Sequence, residues 1–283
     1  MTAEIIDGVA IARKLYADFK LRVQTLAAAG TVPGLAAILV GNNPASEVYV
    51  RAKTRACAEV GVRSAEHRFG GDARAEDVIA LIKKLNADAS IHGILVQLPL
   101  PAQFDTERIL QVVDARKDVD GFNWNNLGAM VAGHPRFMPC TPLGIMAMLE
   151  HEKIAVEGVN AVVVGRSVSV GKSMALMLIA RGATVTVCHS KTRDLAEFTS
   201  RANLIVVAAG KPGLIDGAML KPGAVVIDVG INRLANGKLA GDVDFESASR
   251  VASRITPVPG GVGRMTVAML IANTITSAER GAA

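Results

Sequence analysis

The sequence is short of cysteine, of aromatic residues and of long apolar runs, and each shortage closes off a class of function. The 283 residues hold three cysteines, Cys57, Cys140 and Cys188. They lie far apart and form no CxxC pair, so neither a disulfide framework nor a zinc site is indicated, no metal is expected, and buried reduced thiols are the reading. Only 4% of residues are aromatic, and the formal charge of +5 is spread over segments of mixed sign. A basic stripe with stacking platforms for nucleic acid is therefore not indicated, and small anionic ligands suit the balance better. The apolar stretches fall short of a membrane span, and the opening MTAEIIDG has early acids and no apolar core of a signal segment. No membrane partner is expected, and a reducing cytoplasm is the default compartment.

What is present is a large core and a repeating α/β rhythm. Half of the chain is hydrophobic, and the length suits one large domain or two ordinary ones. Asp7 reads as the N-cap of a helix whose apolar stripe is Ile11, Leu15, Phe19, Val23 and Leu26, closed by Gly30 and Pro33. Strand Leu35 to Val40 follows, then a helix opened by Asn43-Pro44 and ended at Gly61. A weak strand near Ser64 to Phe69, a helix opened by Asp72, and strand Ile91 to Leu98 complete an αβαβαβ order. That order points to parallel strands in an open layer. A short helix near Thr106 to Val113 comes next, and regular signals then thin out from Asp114 to Pro139, as in a binding segment or lid. Thr141-Pro142 restarts helix.

The second half is organised around Ala161 to Met174, AVVVGRSVSVGKSM: a β-branched strand, a turn framed by Gly165 and Gly171, and a helix start. Such a helix start offers unpaired N–H groups to a phosphate, although the spacing is not GxGxxG and the turn alone fits plain α/β architecture as well. Later strands at Thr184 to Val187, Leu204 to Ala208, Ala224 to Val229 and Arg254 to Thr256, with an Asn236-Gly237 hairpin, make a doubly wound sheet. Met265 to about Ser277 is apolar nearly all round and reads as a buried last helix packed back on the first domain.

An NAD site places an acid at the end of the second strand, roughly 20 residues past the glycines. Here Thr184 to Val187 runs into Cys188-His-Ser-Lys-Thr-Arg193 with no acid. Ser190, Lys191, Arg193 and Arg166 are able to receive a 2′-phosphate, so NADP is favoured. The loop also fits an ordinary solvated basic turn, and His189 a core or loop histidine. In the first half, Tyr49 and Lys53 share one helical face at i and i+4. Gln97 ends a buried strand, where an amide needs a partner, and Pro99 and Pro101 stiffen its exit. Asp118 and Asp120 sit in the long loop. Pro257 to Gly263 follows the last strand with no side chain at its glycines to bar close approach.

With these residues the chain resembles the bifunctional methylenetetrahydrofolate dehydrogenase/cyclohydrolase family, the FolD type. The resemblance runs in order through SEVYVRAK (46–53), GILVQLPLP (93–101), KDVDGF (117–122), PCTPLG (139–144), VVVGRS (162–167), HSKT (189–192), VIDVGIN (226–232) and TPVPGGVG (256–263). It implies two α/β domains with a cleft between them, the second a Rossmann-type doubly wound parallel sheet. Residues 1–139 plus 265–283 would hold folate and 140–264 NADP. It implies NADP-dependent oxidation of 5,10-methylenetetrahydrofolate, hydrolysis of the methenyl product to 10-formyltetrahydrofolate, and a homodimer. Carried over by residue, Lys53 would handle protons in the cyclohydrolase step, Gln97 would hold and tune that amine, Tyr49 would stack near folate and Asp120 would anchor the pterin. Leu98, Pro99, Val258, Pro259, Gly260 and Gly261 would line the folate site, and Gly165, Arg166, Ser167, Ser190 and Ile231 would contact the cofactor. Three departures stand out: Ser173 where the family has proline, Arg264 where it has proline, and Asn123-Trp124 where it has His-Pro. Two alternatives are another two-domain NADP dehydrogenase of the shikimate kind and a non-catalytic Rossmann binding protein.

Overall fold

The computed structural model describes residues 2–282. In chain order its elements are β1 (Glu4–Ile5), α1 (Gly8–Ala28), β2 (Gly34–Val40), α2 (Pro44–Val60), β3 (Arg63–Phe69), α3 (Ala75–Ala87), β4 (Gly93–Val96), α4 (Thr106–Val112), α5 (Trp124–Val131) and α6 (Cys140–His151). They continue with β5 (Asn160–Val164), α7 (Ser173–Ala180), β6 (Thr184–Cys188), α8 (Leu195–Thr199), β7 (Leu204–Val207), β8 (Val225–Asp228), β9 (Asn232–Arg233), β10 (Leu239–Ala240), α9 (Phe245–Ser249), β11 (Arg254–Ile255) and α10 (Val262–Ala282). The chain forms two compact units. One joins the segment ending at Ala12 to Thr141–Thr266, and the other joins Arg13–Cys140 to the segment from Val267 onward.

The unit built on Arg13–Cys140 holds a three-stranded sheet in the order β3-β2-β4, all parallel. Every residue of β2 and β4 is buried, as expected of apolar runs covered on both faces, whereas β3 alternates and forms an edge. Ile38, Ile82, Ile94 and Ile109 are at most 1% exposed and centre its core. Asn43 accepts the Ser46 N–H at 3.2 Å, as an N-cap should. The last helix closes this unit: Asn273 Nδ2 donates to the Val119 carbonyl at 2.8 Å, Ser277 Oγ to the Arg116 carbonyl at 3.0 Å, and the Arg22 guanidinium to Glu279.

The other unit carries a six-stranded parallel sheet, β1-β11-β8-β7-β5-β6. Counted from β5, its strands run 2-1-3-4-5, a doubly wound order whose direction reverses between β5 and β7. Ligands in such sheets lie off the carboxyl ends at that reversal. The chain there is tight: a Cβ on Gly165, whose φ is +132°, would run into the Ala208 carbonyl oxygen. β9 and β10 pair antiparallel about the expected Asn236-Gly237 turn.

Four expectations are corrected. Residues 2–12 belong with the six-stranded sheet, because β1 pairs β11 through Glu4↔Arg254 and Ile5↔Ile255; a two-residue strand has no periodicity to reveal it. Asp72 does not open α3, since the Ala73 N–H bonds the Gly70 carbonyl in a turn and helix begins only after Arg74. The loop from Asp114 to Pro139 contains α5, whose first turn is capped by Asn123 at 2.9 Å to the Asn125 N–H. And α10 starts three residues earlier and runs five residues longer than its apolar stretch.

Candidate active site

In the unit built on Arg13–Cys140, α2 presents Lys53 toward the end of β4. The amine is 8% exposed and donates to Gln97 Oε1 at 3.0 Å. Gln97 follows the last residue of β4, and its N–H bonds the Ile38 carbonyl, which extends the ladder by one step. Its own Nε2 donates to the Leu98 carbonyl at 2.7 Å. That second bond fixes which end of the amide faces Lys53: with the NH2 occupied, the oxygen is the atom left for the amine. Tyr49 lies one turn before Lys53, half-buried, with burial pushing its phenol above the usual range. Leu98 is half-buried and Pro99 exposed.

Burial pushes the Lys53 ammonium below its ordinary pKa, and the nearby charge of Asp120 opposes this. Two thiols also face the amine. Cys57 is pushed up to about 12 and Cys140 well above its usual value, both by burial, so neither carries charge at neutral pH. Asp120 is therefore the one carboxylate acting on Lys53, and desolvation of the amine outweighs it. Asp120 itself is raised by burial and lowered by Lys53.

The loop that carries Asp120 is held by its neighbour. Asp118, 4% exposed, accepts from the N–H groups of Gly121 and Asn123 at 3.1 and 2.7 Å and from Asn126 Nδ2 at 2.8 Å. Gly121, at φ +76°, leaves no room for a side chain, since a Cβ would lie 2.7 Å from the Met138 carbonyl carbon. Asn123, the departure from His-Pro, also donates to the Val113 carbonyl at 2.9 Å, so it serves this loop twice. Sequence alone does not single out Cys140 or Asn273: Cys140 lies inside PCTPLG as an ordinary core thiol, and Asn273 is a polar interruption in an apolar helix.

In the unit with the larger sheet, Gly165 follows the end of β5 and the chain makes a wide π-type turn, Val168–Lys172, before α7. Ser167 Oγ accepts from the Val170 and Gly171 N–H groups at 3.2 and 3.5 Å, and Ser173 Oγ donates to the Val168 carbonyl at 2.5 Å. Serine at 173 thus adds a bond that proline lacks. Gly165 N–H bonds the Cys188 carbonyl at 2.8 Å, which brings the glycine turn beside the loop holding Ser190. Arg166, Ser167, Ser190 and Ile231 are all exposed. Glycine where any side chain would fill the crevice, a helix start and hydroxyls and cations after β6 with no acid fit a dinucleotide bearing a 2′-phosphate. In the same unit, the Gly261 N–H bonds the Pro257 carbonyl at 2.9 Å and closes the turn of Val258, Pro259 and Gly260. Arg264 is exposed, and this turn is formed with the arginine in place.

Among the described residues no three His, Cys, Asp or Glu side chains gather as a metal site, and no helix is long and apolar enough to cross a membrane.

Two α/β units, one with a desolvated amine at a strand end and one with a phosphate-type turn at a sheet reversal, define a dinucleotide-dependent oxidoreductase. Residues 6–120 match the tetrahydrofolate dehydrogenase/cyclohydrolase catalytic domain, and residues 139–282 match its NAD(P)-binding domain. The chain belongs to the tetrahydrofolate dehydrogenase/cyclohydrolase family. It is 58% identical to the bifunctional protein FolD of Nitrosospira multiformis over 99% of this chain and 97% of that one. The crystal structure of the bifunctional FolD enzyme of Campylobacter jejuni superposes with a TM-score of 0.97 at 48% identity, covering 98% of this chain and 99% of that one. The Trypanosoma brucei FolD structure, a complex with NADP and an inhibitor, gives 0.96 at 37% identity over 99% and 98%. Shikimate dehydrogenase from Thermus thermophilus shares the fold alone, at 15% identity and a TM-score of 0.52. The protein is a bifunctional dehydrogenase and cyclohydrolase of one-carbon folate metabolism, with an NAD(P)-binding domain.

Proposed function

We propose that Lys53 is the proton-handling group of this chain's cyclohydrolase step, within a sequence that oxidises 5,10-methylenetetrahydrofolate to the methenyl cation and hydrolyses that cation to 10-formyltetrahydrofolate. The observation that carries the assignment is the buried 3.0 Å bond from Lys53 Nζ to Gln97 Oε1. A neutral acceptor keeps the amine in place without pinning it as ammonium, and burial lowers its pKa toward the range where it can take a proton.

When bound, NADP supplies the hydride acceptor for the first reaction. The chain's part in that reaction is positioning: Asp120 accepts from the pterin amide and amino groups, and Tyr49 stacks near the folate. Leu98, Pro99, Val258, Pro259, Gly260 and Gly261 line the substrate, while Gly165, Arg166, Ser167, Ser190 and Ile231 receive the dinucleotide. The unit containing Lys53 holds folate and the unit containing β5 holds NADP. In the second reaction a water attacks the methenyl carbon and gives one proton to the neutral Lys53 amine. As the bond from that carbon to N5 breaks, Lys53 returns the proton to N5. The remaining hydroxyl proton passes to solvent as the formyl carbonyl forms, so one proton is released per turnover.

A homodimer working in a reducing cytoplasm completes the proposal; three free thiols, all buried, suit such a compartment. One coupled assay tests the chemistry: with 5,10-methylenetetrahydrofolate and NADP, NADPH appears and methenyl absorbance rises and then decays. In Lys53→Met the methenyl signal should rise and persist. Decay at the native rate would remove Lys53 from the step. Sedimentation equilibrium of the purified protein tests the dimer, and a single species of monomer mass would exclude it.

A further inference from the structure

We propose a second anion site in the folate-type unit, at the end of its sheet opposite Lys53, built to hold a small multiply charged anion, an organic phosphate or a polycarboxylate. A pocket of about 730 Å³ opens at the amino ends of β2, β3 and β4, a volume within the usual range for small-molecule sites. Its walls bring together Arg63, Arg116, Lys117, Arg136, Arg280 and His92, with Val32 and Ile91 as apolar surface, and among the described residues they contain no carboxylate side chain. Five consecutive steps of chain separate His92 from Gln97, roughly 16 Å at about 3.3 Å per residue. The pocket is therefore separate from the Lys53 and Gln97 pair.

Three of the five cations are held by backbone carbonyls, which leave their charge in place. Arg63 Nη2 donates to the Ser90 carbonyl at 2.6 Å, and Lys117 Nζ donates to the carbonyls of Leu85 and Asp88 at 3.0 and 2.7 Å. Arg280 Nη1 donates to the Arg136 carbonyl at 2.9 Å while its guanidinium lies 5.3 Å from the centre of the Phe137 ring. Two carboxylates act on the group from nearby. Asp114 pairs with Arg116 at 2.6 Å, and Asp88 accepts from the Ser90 N–H and hydroxyl at 2.8 and 2.6 Å. Five cations against two carboxylates leave an excess of positive charge. His92 registers it: Lys117 and Arg63 add to burial in pushing its imidazolium below the ordinary value. Because its Nδ1 accepts the Gly34 N–H at 3.1 Å, the neutral ring carries its proton on Nε2 as a further donor. Anchored guanidinium groups of this kind bind phosphate or carboxylate oxygens in pairs.

The test is titration of the full chain, saturated with NADP to block the cofactor site, with pyrophosphate and separately with citrate at constant ionic strength. One saturable event per chain is expected, with the tighter probe identifying the ligand as phosphate or polycarboxylate. Arg63→Glu/Arg136→Glu should weaken it by about tenfold or more, a change of some 1.4 kcal/mol, and leave dehydrogenase activity intact. The ring signals of His92 give a readout in the unaltered protein: its pKa should rise on adding the bound probe, since an anion favours the imidazolium. No saturable binding of either probe, or binding that leaves the His92 titration unmoved, would overturn the site.

Discussion

At Lys53 two effects of similar kind oppose each other, and their balance sets the chemistry. Burial disfavours ammonium, Asp120 favours it, and the neutral amide of Gln97 leaves the contest to burial. Replacing that amide by a carboxylate would reverse the outcome, because a negative charge at hydrogen-bond distance stabilises ammonium. Gln97→Glu is accordingly expected to raise the Lys53 pKa. The ascending limb of the cyclohydrolase pH profile should move to higher pH, while the dehydrogenase profile stays where it was. Lys53→Met should lose at least the ~10²-fold expected of a general acid/base, with dehydrogenase activity retained in part. An unmoved limb in Gln97→Glu would show that the profile reports some other group. Much of this was legible from residue types: an amine and a ring at i and i+4, and an amide at a strand end. The orientation of the Gln97 amide was not, since it depends on a bond to the backbone of Leu98. Nor was the company of Cys140, which arrives at Lys53 from the start of α6.

The elements show why neighbouring acids have different duties. Asp118 is consumed by the turn that presents Asp120, and α10 holds that turn from behind through Asn273, which is 7% exposed. Asn273→Ala would leave the Val119 carbonyl with the Cys140 thiol, 3.2 Å away, as its remaining donor, at a cost of about 1 kcal/mol for the lost amide bond. Thermal unfolding should detect this loss, and the KM for folate should rise as Asp120 loses its support. In the other unit, Asp228 at the end of β8 accepts from the N–H groups of Gly230, Asp242 and Val243 at 2.9, 2.9 and 3.0 Å, yet burial raises it to about 6. The folded state therefore holds this proton more tightly than an unfolded chain with a carboxyl near 3.8. Its contribution to stability is greatest below that lower value, declines as pH rises to about 6 and is then constant, a change on the order of 3 kcal/mol. The stability difference between the native protein and Asp228→Asn should follow that pH course. A difference independent of pH would show that folding leaves the Asp228 carboxyl at its ordinary pKa.

For the whole molecule, the α/β rhythm, the long buried strands and the glycine turn were readable because periodicity and turn chemistry act locally. The membership of β1 was not, as Glu4 and Ile5 become a strand only by meeting Arg254 and Ile255. The helix α5 was hidden for a related reason: Asn123 caps it, and without the bond geometry that residue reads as loop. Cofactor preference belongs to this scale too, since it combines a turn after β5 with a loop after β6. Arg166→Ala should weaken NADP much more than NAD, and equal losses in kcat/KM for both cofactors would remove the arginine from 2′-phosphate recognition.

The pairing of Arg22 with Glu279 spans 257 residues, and this sets an order of events during synthesis. At roughly 5–20 residues per second, the early strands wait on the order of 10–50 s for the helix that covers Val119 and Arg116. Until then β2 and β4, apolar on both faces, stand partly uncovered outside the ribosome, while every strand of the larger sheet but β1 is made in the interval. The nascent chain should therefore engage holding chaperones through most of its translation, and ribosome-bound chains halted before Val262 should be cut by protease within Arg13–Cys140.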